Sequence, residues 1–122
     1  ASPMTTLRLA ALAVLAAASV AVHAQSNMRF LKDAPIEKMT QEDLALMLRN
    51  SNEALTRNAD GETSGWANAK TGASGTATPL RSFTQKGMKC REAQYTNHAA
   101  GLNGGGKFVL CRVADGSWKL VS

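Results

Sequence analysis

The chain has 122 residues, fourteen Lys or Arg against nine Asp or Glu, and an aromatic share of only 5%. That length leaves room for one domain with a thin core, excludes a multidomain assembly, and makes a covalent staple valuable. A formal charge of +5 suits contact with an anionic surface, and it also lies within the range that simply keeps a small protein soluble.

Ala1, Ser2 and Pro3 precede Met4 and read as an addition ahead of the natural start, with a signal peptide following from Met4 to Ala24. Arg8 supplies the charge of its first part. The run from Leu9 to Val22, apolar apart from Ser19, is too short to cross a bilayer but has the length of an export h-region, and Val22-His23-Ala24 suits cleavage. The expected mature chain begins at Gln25, carries no stable transmembrane segment, and is exported to the periplasm, the outer-membrane surface or the medium. From Gln25 to Glu37 no hydrophobic period is sustained, which predicts a flexible leader.

At Met39 the pattern changes. Thr40 can cap a helix with Asp43 at its third position, and Met39 can staple onto Leu44. Leu44, Met47, Leu48, Ser51 and Leu55 fall on one stripe, while Glu42, Arg49, Asn52, Glu53 and Arg57 lie off it, so one amphipathic helix should run to about Asn58 and turn at Asp60-Gly61. Beyond Gly61 the period becomes that of strands, expected at Glu62–Ala69, Ala73–Gln85, Met88–Asn97, Lys107–Ala114 and Ser117–Val121. Lys70 to Gly72, Lys86-Gly87, a glycine-rich loop from Asn97 to Gly106, and Asp115-Gly116 separate them. In the first hairpin Trp66 supplies bulk, Gly72 the turn, Gly75 a close backbone approach, and Pro79 a bend. The fold predicted for residues 38–122 is α+β, with one N-terminal amphipathic helix packed on a four- to five-stranded antiparallel meander.

Export would place the only two cysteines, Cys90 and Cys111, in an oxidising compartment, where one disulfide is their simplest state. It closes a loop of about 20 residues, worth about 3 kcal/mol on a chain-entropy estimate. The pair must share one face of adjacent strands, which turns Arg91 and Arg112 to the other face.

The ordered series Gly65-Trp66, Asn68, Thr71-Gly72, Ser74-Gly75-Thr76, Thr78-Pro79, Cys90-Arg91-Glu92, Cys111-Arg112 and Asp115-Gly116-Ser117-Trp118 resembles the C-terminal domain of bacterial surface antigens of the 17-kDa antigen type. The resemblance implies an envelope protein, a helix packed on an antiparallel sheet, and a family without an assigned activity.

No catalytic signature accompanies it. Gly101, Gly106 and Lys107 have the spacing of a phosphate loop, but Phe108 stands where the metal-binding hydroxyl belongs and the segment joins two strands instead of opening a helix. Glu42, Asp43 and Glu53 belong to a helix cap or solvated side, Asp60 and Asp115 to turns, and in the expected mature chain one histidine, His98, beside paired cysteines falls short of a metal's ligand set. No enzyme activity, cofactor or metal is expected. From Gly65 onward eight basic residues stand against two acidic ones, and Lys89, Arg91 and Arg112 share a face that could hold an anionic envelope component. Nucleic acid is disfavoured by export and by Tyr95 being the only tyrosine. The sequence therefore predicts a noncatalytic envelope interaction module whose partner is an anionic envelope component or a host protein. A small secreted inhibitor inserting the Asn97–Gly106 loop is the second reading.

Overall fold

A computed structural model describes residues 34–122. The expected signal peptide and the leader before Ala34 lie outside the described residues.

Thr40 opens the main helix, α1 (Gln41–Arg57), through the expected capping box: its Oγ1 accepts from the Asp43 N–H at 3.1 Å, and the Asp43 carboxylate accepts from the Thr40 N–H at 2.9 Å. The helix closes at Asn58, whose N–H donates to the Ala54 carbonyl. The span expected as a flexible leader, to Glu37, overlaps regular structure. Pro35–Lys38 forms one 3-10 turn, begun by a proline that needs no N–H there, and Pro35 is buried.

The sheet side of α1 differs from the expected leucine stripe. Leu55 is buried and Leu44, Met47 and Ser51 are partly so, but Leu48 is 57% exposed, while Asp43, Asn50 and Ala54 are buried. Two polar residues thus sit in the buried face, where hydrophobic periodicity cannot place them. Asn50 Nδ2 donates to the Ser64 carbonyl at 3.0 Å, and Asp43 Oδ1 accepts from Asn68 Nδ2 at 2.8 Å and from Thr71 Oγ1 at 2.7 Å. These bonds fix the rotation and slide of the helix, because a buried polar atom without its partner is costly.

Five antiparallel strands follow in sequence order, β1 (Ser64–Asn68), β2 (Ala73–Gln85), β3 (Met88–Ala99), β4 (Leu102–Arg112) and β5 (Trp118–Leu120). Helix α1 covers β1 and β2, and the 3-10 turn lies on β3 and β4. Trp66 and the small residues Ala73, Ala77, Ala93 and Ala99 form the buried floor. Gly75 meets its expected role: a Cβ there would stand 2.5 Å from the Thr96 carbonyl oxygen and 2.6 Å from Trp66 Nε1. At Pro79 the register with β3 shifts, a bulge where a residue without an N–H is tolerated.

Lys86 (φ 50°) and Gly87 (φ 75°) make the expected two-residue turn. The next connection is a correction. The Asn97–Gly106 segment is no loop, since Ala100 (φ 52°) and Gly101 (φ 78°) turn the chain in two residues and β4 begins at Leu102. Its glycines serve strand packing: Gly104 leaves room for Pro35 Cδ, and Gly105, at φ 148°, lies against the Tyr95 carbonyl where no side chain fits. Gly105→Ala is expected to cost about 1–3 kcal/mol from overpacking alone, measured by urea unfolding; an unchanged midpoint would refute this account of the glycine run.

The last turn is wider than the Asp-Gly pair suggests. Val113 donates to the Ser117 carbonyl, Gly116 takes φ 88°, and Asp115 Oδ1 accepts from the Ser117 N–H and hydroxyl. Upstream of it Cys90 pairs with Cys111 across β3 and β4, and the two form the disulfide, each 1% exposed.

Candidate functional site

The three cations expected on one face of the sheet do share it, but on the side that the helix approaches. Arg91 is 8% exposed. Its guanidinium donates to the Leu55 carbonyl at 2.8 Å, more weakly to that of Ala54 at 3.4 Å, and to Asp60 Oδ1 at 2.7 Å, while Ser82 Oγ donates to the same carboxylate oxygen. Leu55 offers one of the four carbonyls that the end of α1 leaves without a helical partner, so a cation here also meets the negative end of the helix dipole. Arg91 therefore cannot serve an external anion, which corrects its assignment to the open basic face. Arg112 is partly engaged as well, donating through Nε to the Gly116 carbonyl at 3.2 Å, with its guanidinium 6.0 Å from the Trp118 ring centre. Lys89 remains exposed.

Asp43 and Asp60 are drawn below their ordinary range, as is Asp115 in the last turn, chiefly through the hydrogen bonds it accepts from Ser117. At Asp43 burial pushes the pKa up, but the hydrogen bonds from Thr40, Thr71 and Asn68 together outweigh it. At Asp60 the Arg91 hydrogen bond is the leading cause, joined by Ser82. All three folded values lie below the unfolded one, so their contribution is complete above about pH 4 and is lost as pH falls through the folded values. Acid titration followed by circular dichroism should show stability falling below about pH 4, with a shallower fall in Asp43→Asn; equal slopes would remove Asp43 from the cause.

The face of the sheet away from α1 carries a cleft of about 440 Å³ lined by Ser74, Thr76, Thr96, His98 and Asn103 with the intervening backbone. Cross-strand register places Ser74 beside His98 and Asn103, and Thr76 beside Thr96 and Gly105. The Thr76 and Thr96 hydroxyls are hydrogen-bonded, and His98 Nδ1 lies 2.8 Å from Asn103 Oδ1. No carboxylate, lysine or arginine lines this cleft. It offers hydroxyls, an imidazole and amides, chemistry that can orient a polar group by hydrogen bonds. Tyr95 belongs to the opposite face: burial pushes its pKa up despite the Ser51 hydroxyl 2.7 Å away, which keeps it neutral.

The phosphate-loop spacing of Gly101, Gly106 and Lys107 falls within a turn and a strand, with no helix after it to present amides. Among the described residues no three metal-capable side chains come together. Sequence reasoning missed both the Arg91–Asp60 link and the cleft. The first had a faint signal, an arginine on a strand and an aspartate just past a helix end; the second comes from register, which spacing alone does not specify.

A helix locked by buried polar bonds onto a disulfide-pinned antiparallel meander, with an open polar face, defines a small α+β scaffold. Residues 53–119 match the model of the family described as 17 kDa outer membrane surface antigen, and the chain belongs to that family. No curated protein and no solved structure matches it. Among the described residues no helix is long and apolar enough to cross a membrane.

Proposed function

We infer that the chain is a noncatalytic exported component of the bacterial envelope, acting as an interaction module through the parts of its sheet that α1 leaves open. One observation supports this most: the buried ionisable side chains, Asp43 and Arg91, are spent on joining helix to sheet, whereas the cleft face is open and polar. The family's description as an outer membrane surface antigen supports an envelope location, and the apolar run from Leu9 to Val22 supports export. The inhibitor reading loses its inserting loop, because Asn97–Gly106 is occupied by two strands and a two-residue turn.

Photo-crosslinking in intact cells tests the proposal. A crosslinker at Thr96 should give a discrete adduct in the envelope fraction, and one at Asn52, on the solvent side of α1, should give none. Recovery of the chain in the cytosol with no adduct at Thr96 would overturn it.

A further inference from the structure

Among the described residues the edge of β4 is only partly covered. Strand β5 pairs with Leu110–Arg112, and the end of the chain extends this to Val109, whose N–H donates to the Ser122 carbonyl at 2.7 Å and whose carbonyl accepts from the Val121 N–H at 2.8 Å. Backbone groups of an antiparallel strand alternate between its two neighbours. Since Val109 points away from β3, Lys107, Gly105 and Asn103 direct their N–H and C=O groups the same way, and among the described residues no strand receives them. Such an edge is normally blunted by proline, a bulge or several charges. Here Gly104, Gly105 and Gly106 add no side chain, Pro35 lies against Gly104 on the helix side, and among the described residues no strand covers the edge, whose one charged residue is Lys107.

We propose that this edge, Asn103 to Lys107, receives an extended segment of another protein as an added strand, aligned with β5 and alternating apolar with acidic residues. The inference deepens the interaction-module reading by naming the partner's chemistry. Backbone donors and acceptors in a row are complementary to a strand and to little else. On the side of Arg91 and Tyr95 the incoming side chains meet Phe108, 38% exposed, whose ring centre lies 5.9 Å from that of Tyr95. On the cleft side they meet Lys107. The one charge of the edge, Lys107, is complementary to an acidic residue of the incoming strand, and a second copy offers only glycine, asparagine and lysine there.

The test uses the full chain and a synthetic nine-residue peptide of alternating valine and glutamate. Binding is expected, with slowed amide exchange at Gly105 and Lys107. The same peptide N-methylated at alternate residues, in the register that blocks its edge-facing amides, should bind at least tenfold more weakly. Lys107→Glu should weaken the unmodified peptide at least threefold, and since Lys107 is an exposed strand residue the variant should fold. Three results would overturn the proposal: no binding, equal binding of the methylated peptide in both registers, or concentration-dependent dimerisation that occupies the edge. An interaction mapped by Thr96 crosslinking would survive any of them, so the two readings fail separately.

Discussion

Replacing Arg91 by Ala lowers the stability of the domain by about 2–3 kcal/mol, read as a fall in the urea midpoint with an unchanged slope. Breaking a fully buried ion pair costs about 3–5 kcal/mol. The lower figure applies because the Asp60 side chain is 45% exposed and can return to water, whereas the Leu55 carbonyl loses its partner at the end of α1. Arg91 Nε is buried with no hydrogen-bond partner, so the pair is already imperfect, another reason to expect less than the full cost. Arg91→Lys should recover only part of the loss. A single ammonium cannot present the guanidinium fork that reaches the Leu55 carbonyl and the Asp60 carboxylate through separate nitrogens. If Arg91 served an external anion instead, Arg91→Ala would leave the midpoint unchanged and alter only ligand binding.

Arg91 also shows where sequence reasoning ends. Its parity relative to Cys90 followed from strand alternation, and the disulfide, the Thr40 cap, the Lys86-Gly87 turn and the antiparallel order followed from equally local chemistry. Which face the helix would cover did not follow, because a sheet of mostly small residues offers no strong contrast between its sides. Helix rotation was obscured for a related reason. Asp43 and Asn50 occupy the buried face as polar anchors, and a reading that counts apolar spacing moves the stripe toward Leu48. The glycine run failed differently: Ala100-Gly101 is a weak turn signal beside three successive glycines, and those glycines serve close packing against Pro35 and the Tyr95 carbonyl, contacts distant in sequence. The cleft and the partly covered edge of β4 are products of register and of unequal strand lengths, so they become visible only once the strands are paired.

Substituting both cysteines by Ala should lower stability by about 2–5 kcal/mol without changing the topology. The loop they close spans 21 residues, for which chain entropy alone gives about 3 kcal/mol, a large share of the 5–15 kcal/mol typical of a domain. Alanine is the cleaner replacement. Both positions are 1% exposed, and serine would bury two hydroxyls whose unmet hydrogen bonds would add their own cost. Register should survive, because the two-residue turn at Ala100-Gly101 and the contact of Gly105 with the Tyr95 carbonyl each hold β3 and β4 in place. The loss should be felt most in β5, which attaches to the sheet only through the end of β4 that the disulfide pins. Hydrogen exchange distinguishes this from a general weakening: amides from Leu110 to Leu120 should speed up more than those of β1 and β2. A uniform rise over all five strands would mean that the bridge stabilises only by constraining the unfolded chain and has no local hold on the edge.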